Sequence, residues 1–261
     1  MNSRDLFDLT GKHALVTGAG GGIGRAVCRG FCDFGAEVAC LDINEEIASA
    51  AAEALLKSGG KALPVVCDVR DPQQIEHAVS YVLEKFGRVD ILVNLAGKGI
   101  LKPVIEFALE EWEEMIQVYL RSTFLFSKAV GQHMLERGKG SIINVSSVAS
   151  VAALGRGTAP YAAAKAGVNA LAREMTLEWA KKGVRVNAIA PCQIDSPRLR
   201  TMLKDPRFGG EKLMDTWLEA IPMGRLGRPE ELIGPCIFLA SDASSLVTGH
   251  TLMVDGGYTI K

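Results

Sequence analysis

Short apolar runs alternate with longer amphipathic runs along the whole chain. The short runs predict seven strands, at 14–17, 37–42, 62–68, 91–94, 141–146, 184–189 and 251–254. The runs between them predict helices at 22–34, 45–58, 72–86, 109–137, 161–182 and 229–240. Because the strand runs are apolar on both faces, we expect a parallel sheet covered by helices on either side. The pattern therefore predicts a doubly wound α/β fold with a seven-stranded sheet.

The predicted elements form one unit, because no linker, internal repeat or low-complexity tract divides the chain. We expect a single domain over residues 1–261. One irregular connection, at about 192–222, is longer than an ordinary strand-to-helix loop and is a candidate substrate lid. An anionic or polar substrate would suit its basic residues, although such charges are more often solvated than ligand-binding. The charged residues of this lid are Arg198, Arg200, Lys204, Asp205 and Arg207.

The charge balance argues for a small-molecule partner. Lys and Arg total 29 and Asp and Glu total 30, so nothing favours binding to nucleic acid or to an acidic membrane. Neither a secretion signal nor an apolar run of about 20 residues is present, so we expect a cytoplasmic protein. The six cysteines and four histidines lack metal-ligand spacing, and we expect reduced thiols and no metal site.

A glycine-rich turn, Thr17–Gly24, directly follows the first predicted strand and opens the first predicted helix. Gly18 would permit the sharp turn, Gly22 would let a pyrophosphate approach the backbone, and Gly24 would let the helix pack closely on the sheet. A diphosphate would then face the N–H groups and positive dipole of the helix N-terminus. The turn therefore predicts a dinucleotide site in a Rossmann-type fold.

The residue ending the second strand bears on which dinucleotide binds. Asp42 could accept hydrogen bonds from the adenosine ribose and would repel a 2′-phosphate. No Arg or Lys occupies Gly20 or Gly21, and Ile43 follows Asp42, so nothing nearby in sequence would neutralise that phosphate. We therefore expect NAD rather than NADP. Alternatively, Asp42 caps the helix that begins near Asn44, and both roles are compatible.

Tyr161 and Lys165 lie four residues apart and therefore share one face of a predicted helix. A free tyrosine has a pKa of ~10, and a neighbouring cation lowers it towards working pH. Tyr161 could then exchange a proton with a substrate oxygen during hydride transfer. Ser147, at the end of the preceding strand, could polarise the same oxygen. Alone this pattern is weak and usually marks a surface pair; its weight comes from the glycine turn and the serine.

Together these motifs resemble the short-chain dehydrogenase/reductase family over nearly the whole chain. The resemblance rests on Thr17–Gly24, Cys67-Asp68-Val69, Asn94-Leu95-Ala96-Gly97, Ser147, Tyr161-x-x-x-Lys165, Pro191 and Val254-Asp255-Gly256-Gly257. It implies that Tyr161 is the general acid/base, that Lys165 binds the nicotinamide ribose and that Ser147 orients the substrate. It further implies a homotetramer. The cofactor-binding residues it implies are Gly18, Gly22, Ile23, Gly24, Asp42, Asp68, Val69, Asn94, Ala96, Gly97, Tyr161, Lys165, Pro191, Ile194 and Ser196.

Some positions depart from the family pattern. Tyr119 stands where the family usually has an Asn that helps to carry protons through a water. Tyr119 is either part of an altered proton relay or a packed helix residue without a chemical role. The interval from Ser147 to Tyr161 is one residue longer than usual, which keeps Ser146 as a second contender. Leu95, Cys192 and Ser196 replace the usual Asn, Gly and Thr.

The resemblance leaves the substrate open. The chain is similar to gluconate 5-dehydrogenase-like and 3-oxoacyl-carrier-protein-reductase-like members. We expect an NAD(H)-dependent oxidoreductase that interconverts a secondary alcohol and a ketone on a sugar acid, polyol, hydroxy acid or cyclic alcohol. One alternative is a 3-oxoacyl thioester reductase. Another, from a different class, is a dinucleotide-binding sensor or scaffold with vestigial catalysis; a methyltransferase ranks far below both.

Overall fold

The computed structural model describes residues 3–155, 157–204 and 210–260. Its strands are β1 His13–Thr17, β2 Glu37–Asp42, β3 Lys61–Val66, β4 Ile91–Asn94, β5 Gly140–Val145, β6 Val184–Pro191 and β7 Thr251–Val254. They form one sheet, paired in parallel throughout, in the order β3-β2-β1-β4-β5-β6-β7. The predicted doubly wound fold with a seven-stranded parallel sheet is confirmed.

The helices follow the predicted order, and two differences are larger than a shift of a few residues at an end. Their bounds are α1 Gly22–Asp33, α2 Glu45–Lys57, α3 Pro72–Phe86, α4 Leu109–Ile116, α5 Ser122–Arg137, α6 Ala159–Trp179, α7 Pro197–Leu203, α8 Gly210–Ala220 and α9 Ile233–Ala240. The segment 109–137 is helical over its whole length, as predicted, but a π-helical turn, Gln117–Arg121, separates α4 from α5. The connection at 192–222, which the sequence predicts to be irregular, contains α7 and α8. Asp205 and Arg207 lie outside the described residues, as does the side chain of Arg198.

Both faces of the sheet are buried, which explains the continuous apolar strand runs. Successive side chains of a strand point to opposite faces. Leu15 accordingly belongs to one hydrophobic cluster, together with Ile142, whereas Ala14 and Val16 belong to the other. Helices cover both clusters, as parallel sheets require.

The strand order places a crevice beside β1. Chain progression runs outwards from β1 through β2 and β3 on one side, and from β4 to β7 on the other. In open parallel sheets, ligands bind outside the carboxyl ends of the strands where the order reverses. Thr17, at the end of β1, and Asn94, at the end of β4, flank this position.

The structure also bears on the expectations about metals and membranes. Over the described ranges, no cluster of His, Cys, Asp or Glu has the arrangement of a metal site. All six cysteines are free thiols. Within the same part of the chain, no helix combines the length and the apolar character needed to cross a bilayer.

Candidate dinucleotide-binding and catalytic site

Several glycines of the turn occupy places where a side chain would meet neighbouring atoms. Gly18 has a φ of +69°, and a Cβ there would lie 2.8 Å from the Cα of Ala96. A Cβ on Gly24 would lie 2.8 Å from the Cα of Ala19, in the turn itself. A Cβ on Gly22 would come within 3.4 Å of Ser196, which brings the segment after β6 over the turn. The missing side chains at Gly18 and Gly24 thus allow the turn to pack closely on its neighbours.

Thr17 links the two halves of the sheet at the crevice, a role that the sequence analysis missed. Its Oγ1 accepts hydrogen bonds from the backbone N–H groups of Leu95 at 2.9 Å and Ala96 at 3.1 Å. These bonds hold the chain leaving β4 against the end of β1. The available signal was its position, since Thr17 is the last strand residue before the glycine turn.

Asp42 lies over the glycine turn. Its Oδ2 accepts a hydrogen bond from Gly20 N–H at 3.2 Å, and its Oδ1 accepts one from Asn44 N–H at 3.4 Å. Asn44 itself caps α2, because its side chain accepts from Ile47 N–H at 3.0 Å. The alternative interpretation of Asp42 as the α2 cap is therefore wrong.

A cation that directly follows the glycine turn in sequence also reaches it. Arg25, on the exposed side of α1, donates from Nε to the Gly20 carbonyl at 2.9 Å. Arg25 lies outside both the turn and the residue after Asp42, so the lack of Arg or Lys at those positions does not exclude a nearby cation.

Asp68 begins a chain of ion pairs that runs towards the loop after β4. The strand β3 ends at Val66, so Asp68 lies beyond it, and the predicted strand end at 68 is wrong. Arg70 donates to Asp68 at 2.7 Å and to Glu114 at 2.8 Å, and Lys98 binds the other Glu114 oxygen at 2.6 Å. The hydrogen bonds from Arg70 hold the pKa of Asp68 below its ordinary value. Val69, next to Asp68, is buried in the core.

Asn94, at the end of β4, is held by neighbours inside the sheet. Its Nδ2 donates to Oδ1 of Asn144 at 2.8 Å and to Oγ of Ser127 at 3.1 Å. Asn94 and Asn144 are register partners on β4 and β5, so their side chains meet at the carboxyl end of the sheet. Gly97 follows two residues after Leu95 and packs against the ring of Tyr119.

The predicted catalytic pair lies at the start of α6. Tyr161 is partly buried, whereas Lys165 is only 5% exposed. The Lys165 ammonium lies 5.7 Å from the centroid of the Tyr161 ring and donates to the backbone carbonyl of Val145, the last residue of β5. A third side chain joins them, because the same ammonium lies 4.5 Å from the centroid of the Tyr119 ring.

The two contending serines differ in how their hydroxyls are used. Ser146 Oγ donates to the Lys165 carbonyl at 3.2 Å, so its hydrogen is directed at the helix backbone. Ser147 Oγ instead accepts from Ala149 N–H at 3.2 Å, which leaves the O–H hydrogen for another acceptor. This difference favours Ser147 as the donor to a substrate oxygen.

Three of the remaining predicted residues lie at or after the end of β6, and the fourth lies in α1. Pro191 ends the strand and is paired with Val254 of β7. Ile194 forms an isolated parallel bridge with Gly227. Ser196 caps α7, since its Oγ accepts from Leu199 N–H at 3.2 Å. Ile23, at the start of α1, packs against the core cluster beneath the turn.

The turn and α1 have the features that a dinucleotide requires. The N-cap of α1 is Gly21, which provides no side-chain oxygen, so the N–H groups of the first turn receive no side-chain cap. Such N–H groups, at the positive end of the helix dipole, suit a diphosphate. The cradle left by Gly18, Gly22 and Gly24 fits a dinucleotide.

Comparisons with known proteins place the chain among nucleotide-dependent reductases and dehydrogenases. A family model described as enoyl-(acyl carrier protein) reductase matches residues 18–259. D-threitol dehydrogenase of Mycolicibacterium smegmatis is 41% identical over 255 residues, covering 98% of this chain and 95% of that protein. Gluconate 5-dehydrogenase of Gluconobacter oxydans is 37% identical over 262 residues, covering 100% of both chains.

A solved structure gives the same result in three dimensions. The gluconate 5-dehydrogenase of Burkholderia cenocepacia, in complex with NADP and tartrate, superposes with a TM-score of 0.91 at 38% identity. The match covers 98% of each chain, so the whole architecture is shared.

Proposed function

The chain belongs to the short-chain dehydrogenase/reductase family, a family of oxidoreductases that use a nicotinamide dinucleotide, and we propose that it interconverts a secondary alcohol and a ketone with NAD(H) as its cofactor. The observation that carries this proposal is the placement of Tyr161 beside the buried Lys165 ammonium, at the carboxyl end of β5. A dinucleotide-binding scaffold would have no use for a phenol held next to a buried cation.

Three side chains have separate roles in the proposed reaction. Tyr161 gives a proton to the substrate oxygen in reduction and takes it back in oxidation. The adjacent Lys165 ammonium favours the phenolate and so lowers the pKa of Tyr161 towards the working pH. Ser147 donates its hydroxyl hydrogen to the same substrate oxygen and polarises the carbonyl. The nicotinamide dinucleotide, when bound, supplies or accepts the hydride.

The proposed preference for NAD rests on Asp42. Its carboxylate faces the glycine turn, where it would accept hydrogen bonds from the ribose and repel a 2′-phosphate. Arg25 supports the opposite preference, because its guanidinium lies beside the same turn. The Burkholderia relative was solved with NADP, so the two cofactors must be compared directly.

The proposed substrate is a polyol or a sugar acid. The names of the relatives, a D-threitol dehydrogenase and a gluconate 5-dehydrogenase, support this class. The lid hypothesis for 192–222 is kept as part of the proposal, since α7 follows directly after Ser196 beside the turn. Arg200 is an unsuitable ligand for a substrate carboxylate, because Asp195 already binds its guanidinium through two bonds of 2.7 Å.

We also propose a homotetramer in the cytoplasm. All four residues of the edge strand β7 are only partly buried, which leaves this edge open for a second copy of the chain. Light scattering after size-exclusion chromatography tests the assembly, and a monomer at micromolar concentration would contradict it.

The first experiment is a fluorescence titration with NADH and NADPH. The oxidised form of the tighter-binding cofactor is then assayed against threitol, gluconate, other polyols, hydroxy acids and a 3-hydroxyacyl thioester. We expect tighter binding of NADH and turnover of a polyol or sugar acid. Turnover of the thioester alone would support the 3-oxoacyl reductase alternative, and tighter binding of NADPH would refute the role assigned to Asp42.

The matched variants are Tyr161→Phe and Tyr81→Phe. Tyr81 has a lysine four residues later, Lys85, whose ammonium also lies over the ring, at 5.4 Å, but this pair is on the surface. Tyr161→Phe should abolish turnover and leave NADH binding intact, whereas Tyr81→Phe should change neither. Turnover retained in Tyr161→Phe would refute its acid/base role.

A further inference from the structure

Tyr119 lies in an unusual piece of helix that faces the catalytic pair. It belongs to the π-helical turn Gln117–Arg121, where Ser122 N–H donates to the Gln117 carbonyl five residues back. Such turns are rare, occur mostly as single turns inside α-helices and are frequently found at functional sites. The hydroxyl of Thr123 donates to the Tyr119 carbonyl at 2.7 Å and so compensates for the altered backbone bonding. The turn displaces Tyr119 from ordinary helical register without exposing its backbone.

The ring of Tyr119 completes the surroundings of the catalytic pair. It meets the Tyr161 ring edge to face, with centroids 5.1 Å apart and an interplanar angle of 79°. The Lys165 ammonium lies closer to the Tyr119 ring, at 4.5 Å, than to the Tyr161 ring, at 5.7 Å. Tyr119 is 4% exposed and Lys165 is 5% exposed, so this cation and this ring meet away from bulk water. A buried ammonium is attracted strongly by an aromatic face.

The hydroxyl of Tyr119 points to a different partner. It donates to the backbone carbonyl of Lys98. The ring also lies directly on Gly97, where a Cβ would be 2.9 Å from both Cζ and the hydroxyl oxygen. Tyr119 therefore packs against the segment after β4, which is among the proposed cofactor contacts.

We propose that Tyr119 is a positioning residue with two separable parts, its ring holding the Lys165 ammonium beside Tyr161 and its hydroxyl holding the Gly97–Lys98 segment against the cofactor. This inference rests on the proposed function of Tyr161 and Lys165. It replaces the expectation of a tyrosine hydroxyl in the proton relay, because the hydroxyl is directed at the Lys98 carbonyl. It also replaces the view of Tyr119 as packing alone.

The test separates the ring from the hydroxyl. Tyr119→Phe keeps the ring, and Tyr119→Leu removes both parts. Each variant is prepared with tyrosine isotope-labelled at the ζ carbon, so that the few tyrosines, four in the parent chain, give separate NMR resonances, and Tyr161→Phe assigns the resonance of interest. The pH at which Tyr161 ionises is then followed without cofactor or substrate.

Each variant should change one of two measured quantities, the pH at which Tyr161 ionises or the affinity for NADH. In Tyr119→Leu, Tyr161 should ionise about one pH unit higher than in the parent, because the ammonium is no longer held beside it. In Tyr119→Phe, the ionisation should stay where it is, while NADH binds about fivefold more weakly because one hydrogen bond is lost. Tyr81→Leu is the control, since it removes a surface Lys-over-Tyr contact and should change neither readout.

Unchanged ionisation of Tyr161 in Tyr119→Leu, or a shift to lower pH, would overturn the proposed role of the ring. Unchanged NADH affinity in Tyr119→Phe would overturn that of the hydroxyl. If Tyr119→Leu fails to fold, Tyr119→Met removes the ring with a more adaptable side chain. Because the titration needs no substrate, it tests the placement of Lys165 by Tyr119 separately from turnover, whose absence would count against the proposed function.

Discussion

Replacing Gly18 by Ala should destabilise the protein more than the same change at Gly87. Both glycines are left-handed, with φ of +69° and +74°. A Cβ on Gly18 would lie 2.8 Å from the Ala96 Cα, whereas nothing lies within 4 Å of a Cβ on Gly87. The left-handed conformation costs Ala roughly 1–2 kcal/mol at either position. The overlap with Ala96 adds about 1–3 kcal/mol, because a backbone atom cannot move aside as a flexible side chain can.

Urea denaturation measures the difference directly. We expect the free energy of unfolding to fall by about 1–2 kcal/mol in Gly87→Ala and by about 2–5 kcal/mol in Gly18→Ala. Effects on the unfolded chain are alike in the two variants and cancel in the comparison. NADH titration should show weaker binding only in Gly18→Ala. Equal losses of stability in the two variants would refute the argument that the turn is closed against Ala96.

Two further predictions concern charge and thiol chemistry. Asp90 is only 7% exposed; burial raises its pKa, but the His13 N–H and the guanidinium of Arg137 outweigh this and hold it below its ordinary value. Its contribution to stability is therefore present at neutral pH and lost as the pH falls below about 4. Asp90→Asn should lower the free energy of unfolding by about 2–4 kcal/mol at neutral pH and make it fall less steeply with acid. The same pH dependence of stability in parent and variant, measured by urea denaturation, would contradict this role of Asp90. Burial also raises the pKa of Cys236 to about 12. A thiol reagent should therefore modify the partly exposed Cys192 long before Cys236, and mass spectrometry of the labelled protein measures the order. Modification of both cysteines at the same rate would refute the claim that Cys236 is protected by burial.

The elements were predictable because their signals are local. The spacing of apolar residues that marks a strand or a helix can be read within a few consecutive residues. The alternation of strands and helices then predicts a doubly wound sheet. The pattern does not predict a change in helix type within a helical segment. The π-helical turn at 117–121 adds one residue to a helix without breaking its apolar pattern, so periodicity at 109–137 gave no sign of it.

For the candidate site, the sequence indicates which residues to propose but only partly how they are arranged. The spacing Tyr-x-x-x-Lys occurs twice, at Tyr161 and at Tyr81, and no local feature separates the two. The structure separates them by burial, since Lys165 is enclosed whereas Tyr81 is 39% exposed. Contacts across long stretches of chain, such as Thr17 with Ala96 and Tyr119 with Lys165, depend on the tertiary fold and leave no trace in spacing.

The bridge between Ile194 and Gly227 has an evolutionary consequence. Gly227 N–H donates to the Gln193 carbonyl at 3.0 Å, and Asp195 N–H donates to the Gly227 carbonyl at 2.7 Å. These bonds fasten together the two ends of the intervening segment, so changes in its length or composition need not be transmitted to the sheet. The segment can therefore be exchanged as a unit. Under the proposed function, this segment could change to fit a different alcohol while the glycine turn and the helix that carries Tyr161 stay the same.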